Sequence, residues 1–96
     1  MKSVYLVSAD SKQKAEDALK KDDLVSRGSI LIRLASSLDM KEDGYFIVLD
    51  ASEQALKQAE QLLKGIAEIY KDSETVLKRI QEQEDRATEG FGNILG

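Results

Sequence analysis

Three short stretches of this chain are apolar at strand length, and a long C-terminal stretch is apolar at helical spacing. Residues 3–8, Ser-Val-Tyr-Leu-Val-Ser, form a β-rich run suited to a buried strand. Asp10 and Gln13 then stand at capping-box spacing, and Ala15, Ala18, Leu19 and Asp22 follow at helical intervals, predicting a helix over 11–21. Ile30, Ile32 and Leu34 alternate with Leu31, Arg33 and Ala35 behind Gly28. This favours a second strand, followed by a helical turn near 36–40. The same segment also fits one helix face through Ile30, Leu31, Leu34, Ala35 and Leu38, so 29–38 stays open between strand and helix. The turn formers Lys41-Glu42-Asp43-Gly44 lead into Tyr45-Phe46-Ile47-Val48-Leu49, the strongest strand of the chain.

From Asp50 the period changes. Asp50 and Glu53 repeat the capping-box spacing, and Ala55, Leu56, Ala59, Leu62, Leu63, Ile66, Ile69 and Tyr70 mark an apolar stripe. Ser73, Val76, Ile80, Gln83 and Ala87 continue it as a weak heptad seam. Residues 51–89 are one helix or two, with Lys71-Asp72-Ser73 as the break. Gly65 weakens a helix by about 1 kcal/mol against Ala without forbidding it. Five Glu-to-base pairs at i,i+4, Glu16–Lys20, Glu53–Lys57, Glu60–Lys64, Glu74–Lys78 and Glu82–Arg86, support the helical readings.

Composition narrows the chemistry. With 96 residues, one domain is the limit, and 42% hydrophobic content sets the chain apart from disordered sequences. There is no Cys, His, Trp or Pro. Thiol and imidazole catalysis, disulfides, zinc ribbons and iron–sulfur clusters are therefore excluded. The expectation is no enzyme, no cofactor and no metal. A net charge of −4 with dispersed basic residues argues against a nucleic-acid partner. No apolar run is long enough to span a bilayer, and the start lacks the layout of a signal peptide, so a soluble, cytoplasmic protein is expected. The high Lys and Glu content suits a thermophile.

Val7, Ser11, Gln13 and Ala18 recur as Val48, Ser52, Gln54 and Ala59 at a constant offset, suggesting two strand–helix units with the second strand between them. That β-α-β-β-α order resembles the ferredoxin-like superfold over about residues 3–70, and loosely the ACT-type ligand-sensing domains within it. Residues 45–65 also look like a strand–helix unit common in small archaeal proteins. The resemblance implies an α+β two-layer sandwich with a three-stranded sheet in the order 1-3-2 and a C-terminal helical extension. Two departures stand out. Helix replaces the family's fourth strand, and the glycine-bearing first turn of ACT domains is here Ser8-Ala9-Asp10-Ser11. No ligand site is carried over.

The expected organisation is a core over residues 1–70, a helical arm over 71–89 and a flexible, glycine-rich apolar tail over 90–96. Core candidates are Val4, Leu6, Leu19, Ile30, Ile32, Leu34, Ile47, Leu49, Leu56, Leu62, Leu63 and Ile66. Asp10, Ser11, Asp50 and Ser52 are expected at one edge of the sheet, where helix N-termini attract anions, although capping by Asp10 and Asp50 is the plainer role. Arg27, in Ser-Arg-Gly-Ser, is a candidate anion contact. Arg33, opposite the apolar face of its strand, is either solvated or in need of a carboxylate such as Asp50. Three strands leave two edges and one bare face, and the stripe beyond Tyr70 needs a surface to cover. The leading reading is thus a non-catalytic interaction module, a dimer or higher homo-oligomer, with Val76, Ile80, Phe91, Ile94 and Leu95 as interaction residues on the helix and tail. The alternative is a sensor of an amino-acid-like or nucleotide-like ligand at a subunit interface, resting on fold analogy.

Overall fold

The structure, a computed structural model, describes the backbone of residues 1–95 and the side chains of residues 1–85. Its elements are β1 (Lys2–Val7), α1 (Lys12–Lys21), α2 (Asp23–Ser26), β2 (Ser29–Leu34), a 3-10 turn (Ala35–Leu38), β3 (Tyr45–Asp50), α3 (Glu53–Leu63), β4 (Glu68–Ile69) and α4 (Ser73–Leu95). The fold is α+β. The sheet has four strands in the order β2-β3-β1-β4, with every neighbouring pair antiparallel.

The expected adjacency of strands 1, 3 and 2 is contained in that order, but a three-stranded sheet is not what forms. β4 lies on the far side of β1, pairing Tyr5 with Ile69 and Leu6 with Glu68. The Tyr70 amide extends the ladder by donating to the Val4 carbonyl at 2.9 Å. Continuous helical spacing concealed this strand, and Gly65 is what interrupts the helix. Lys64 has φ −59° and ψ 122°, Gly65 has φ +79°, and the Ile66 amide donates to the Leu63 carbonyl at 2.9 Å. This is a type II turn, whose third position requires a positive φ that glycine adopts without penalty. Residues 51–89 are therefore two helices with a turn and a strand between them. Asp72 accepts from the Thr75 amide at 3.4 Å and the Thr75 hydroxyl at 2.7 Å at the start of α4.

Alternation along the strands sorts the core into two layers. Tyr5, Val7, Ile47 and Leu49 face α1, α2 and α3, packing with Ala15, Leu19, Val25, Ala59 and Leu63. Val4, Phe46 and Val48 face the other way, where they meet Ala35, Leu38, Val76 and Ile80. The second sheet face, expected to be bare, is covered by the chain's own α4. Val76 is fully buried and Ile80 is 6% exposed. Gln83 of α4 also donates to the Ser37 carbonyl, tying the helix to the 3-10 turn. Leu34, expected in the core, is 43% exposed because it ends β2 beyond the cover of α1–α3.

The segment 29–38 resolves as strand then 3-10 turn. α2 was not anticipated. Asp22 caps it by accepting from the Leu24 and Val25 amides, each at 3.0 Å, and also accepts from Gln58 of α3 at 3.0 Å. Glu16–Lys20 and Glu53–Lys57 form ion pairs at 3.3 and 3.6 Å. Glu60 and Lys64 cannot act as a helical pair, because α3 ends at Leu63.

Candidate functional site

The expected anion cluster does not assemble. Because β1 and β3 are antiparallel, Lys2 pairs with Asp50 and Val7 with Tyr45, so the two strands exit at opposite ends of the sheet. Five residues of strand, roughly 17 Å, separate the exit towards Asp10 and Ser11 from the exit towards Asp50 and Ser52. The capping roles shift as well. The N-cap of α1 is Ser11, which makes no side-chain cap, while Asp10 sits in the turn closed by the Ser11 amide on the Ser8 carbonyl. The N-cap of α3 is Ser52, whose Oγ accepts from the Ala55 amide at 3.2 Å. Asp50 ends β3 and pairs with the N-terminal ammonium at 3.5 Å.

Arg27, Asp50 and Ser52 do share one shallow depression with Leu24, Gly28, Ala51 and Ala55. Gly28 permits it. A Cβ there would stand 2.7 Å from both the Ala51 Cβ and the Asp50 carbonyl oxygen, so only glycine lets the start of β2 lie against the end of β3. The hydroxyl of Ser52 and the carboxylate of Asp50 are already engaged, and Arg27 is exposed. Among the described residues no group of three or more acids forms a metal-binding cluster. No helix there is long and apolar enough to cross a membrane.

Val76 and Ile80 are not a surface seam, since their side chains form part of the core beneath α4. Phe91, Ile94 and Leu95 carry side chains outside the described residues. Tyr5 and Phe46, two of the aromatic residues of the sheet, are buried on opposite faces, one under α1–α3 and one under α4.

The exposed feature with a definite chemistry is the outer edge of β2. β3 flanks β2 on one side only, leaving six residues, Ser-Ile-Leu-Ile-Arg-Leu, at the margin of the sheet. The phase of the ladder decides which backbone groups face outward. The Ala35 amide donates to the Gly44 carbonyl at 2.9 Å, in register with Arg33↔Phe46, Leu31↔Val48 and Ser29↔Asp50. Hydrogen-bonded and non-hydrogen-bonded pairs alternate in an antiparallel ladder, so odd residues bond to β3 and Ile30, Ile32 and Leu34 turn theirs outward. Side chains cover two of those carbonyls. Arg33 Nη1 donates to the Ile32 carbonyl at 3.2 Å, and Ser37 Oγ donates to the Leu34 carbonyl at 2.6 Å. Arg33 thus caps its own strand edge and makes no ion pair with Asp50 among the described residues.

On the α4 side of β2 lies a second depression of about 140 Å³. Leu31, Leu77 and Ile80 contribute its apolar lining, and Lys2, Asp50 and Glu84 its charges. Sequence reasoning marked Arg33 and Asp50 but missed this arrangement, and it missed Ser37. The only sequence signal was the alternation of β2, which does not say which strand is last in the sheet. Among the described residues three side chains have shifted acidities. The Val25 amide, then Gln58, hold the Asp22 carboxyl below its usual value. The Glu42 carboxylate pushes the Tyr70 phenol up to about 12, and burial raises that of Tyr5.

Comparison of the chain with protein-family models, with curated proteins and with solved structures finds no match.

Proposed function

We propose that this chain is a ferredoxin-like, non-catalytic interaction module that forms homo-oligomers through the open edge of β2. The β-α-β-β-α-β order with central strands 3 and 1 supports the fold assignment. A sequence without His or Cys supports the non-catalytic reading. The observation that carries the surface is the edge itself. Six residues of strand present the outward groups of Ile30, Ile32 and Leu34, flanked by half-buried Ile30, Leu31 and Ile32 and by exposed Leu34. An extended strand added there gains main-chain hydrogen bonds and covers apolar side chains at once. The caps from Arg33 and Ser37 are single side-chain bonds that a docking strand displaces or shares. The face that α4 covers is no longer open for this purpose.

Leu34→Pro is the direct test. Leu34 has φ −66°, the value proline adopts, and its amide points away from β3. The substitution removes an outward donor without removing a ladder bond. Light scattering after gel filtration is expected to show an oligomer for the unaltered chain and a lower mass for Leu34→Pro, with thermal stability retained. An oligomer unaffected by Leu34→Pro moves the interface away from β2.

A further inference from the structure

We propose that Arg33 guards the β2 edge: its guanidinium, folded onto the Ile32 carbonyl, opposes the addition of a strand there and so limits self-association through that edge. This rests on the reading of β2 as the interaction surface and adds how that surface is regulated.

The two margins of the sheet differ in kind. β4 is two residues long, too short to offer much of a template. β2 runs for six residues and is apolar at Ile30, Leu31, Ile32 and Leu34. An edge of that length and character pairs readily with another chain unless proline, a bulge or charge prevents it. Proline is absent from the sequence. The register with β3 runs unbroken from Ser29↔Asp50 to Leu34↔Tyr45, so no bulge twists the edge away. Charge is the device that remains, and Arg33 is the one charged residue of β2.

The side chain acts on the margin itself. Arg33 is half-buried, and its Nη1 donates to the Ile32 carbonyl at 3.2 Å. That carbonyl points outward from the middle of the strand and is an acceptor that an arriving amide needs. An amide nitrogen bonds at about 3 Å from a carbonyl oxygen, so it competes with the guanidinium for the same place. At an uncapped carbonyl the incoming amide displaces only water. Here it displaces or crowds a charge-assisted bond, which is the stronger kind. Ser37 acts in the same sense at the end of the strand, where its Oγ donates to the Leu34 carbonyl at 2.6 Å. Ile32 and Leu34 therefore present their amides outward with their carbonyls already engaged, whereas a ladder pair exchanges both groups. Strand addition gives up the Arg33 cap before it gains the full ladder.

The test compares self-association of the unaltered chain, Arg33→Met, Leu34→Pro and the double variant, by light scattering from micromolar to millimolar concentration. Arg33→Met keeps an unbranched stem and removes the cation. It is expected to self-associate more tightly by about tenfold, the size of one charge-assisted hydrogen bond, with thermal stability retained. The double variant is expected to lose that gain, because the gain acts through the β2 edge. An Arg33→Met chain that associates no more tightly overturns the guard, while a lower mass for Leu34→Pro in the same series leaves the interaction-module reading standing. A gain that survives Leu34→Pro comes from another surface and also overturns the guard. An unaltered chain that is monomeric while Arg33→Met associates supports the guard and overturns oligomerisation of the unaltered chain. Monomers throughout overturn both.

Discussion

The Tyr70 hydroxyl donates to Oε2 of Glu42 at 2.6 Å, joining the β4–α4 junction to the connection between β2 and β3. The Tyr70 ring meets Phe46 edge-on, with centroids 4.8 Å apart and planes at 67°. A carboxylate accepting from a phenol favours the protonated phenol, which is why Tyr70 titrates at about 12 rather than 10. The unfolded chain loses this proton first, so the associated stability is complete below pH 10 and is lost as pH rises through about 12. Alkaline absorbance titration should therefore show a late-titrating tyrosine. Glu42→Gln should bring its midpoint down towards 10, and an unchanged curve would contradict the assignment.

Asp22 provides the acidic counterpart. Its carboxylate accepts from two amides and from Gln58, so its folded value lies below the usual 3.8. Stability from this group is present above the usual carboxylate value and is lost as pH falls through the lowered one. Urea titrations of the unaltered chain and of Asp22→Asn should differ by a constant amount near neutrality. The difference should shrink in acid, and a pH-independent gap would contradict this account.

Packing beneath α4 makes Ile80 a core residue rather than an assembly residue. Ile80→Ala should lower unfolding free energy by about 2–4 kcal/mol through lost burial and a residual cavity. Solution mass should not change at concentrations where the protein stays folded. A lower mass with undiminished stability would return Ile80 to the surface.

Two glycines should respond differently to alanine. At Gly65 a Cβ meets nothing within 4 Å, so Gly65→Ala costs only the positive φ, about 1 kcal/mol. At Gly28 the added carbon meets the Asp50 carbonyl oxygen at 2.7 Å, and backbone must move. Gly28→Ala should be the more damaging, by about 2 kcal/mol or more in chemical denaturation. The reverse order would contradict the close approach of β2 to Ala51.

Capping separates Ser52 from Asp50. Ser52→Ala should lower stability by about 1 kcal/mol because the Ala55 amide loses its acceptor. Asp50→Ala removes an exposed pair with the N-terminus and should change stability by less than about 0.5 kcal/mol. Thermal denaturation of the two variants distinguishes them.

The candidate edge was half legible. Alternation in 29–34 marks a strand with Arg33 on the face opposite Ile30, Ile32 and Leu34, and the structure keeps that arrangement. That β2 is the last strand, and that Arg33 bends back onto the Ile32 carbonyl, depends on where β3 and β1 pair. Asp10 and Asp50 show how spacing misleads. Each precedes a helix at capping-box distance, but Ser52 stands closer to its helix, and the turn after β1 leaves Asp10 outside α1.

What the chain's order of residues determined alone is local: strands at 3–8 and 45–49, an amphipathic helix at 11–21, helical spacing from Asp50 onward and a chemistry without imidazole or thiol, with 29–38 left open between strand and helix. These follow from periodicity and composition, which neighbouring residues settle among themselves. Tertiary structure decided the rest. It made residues 68–69 a strand because β1 offered an unpaired side, and it turned the stripe of α4 inward because the sheet had an apolar second face. It placed the exits of β1 and β3 at opposite ends because the strands are antiparallel. Each outcome depends on a partner distant in sequence, and hydrophobic spacing records that a face will be buried without recording against what.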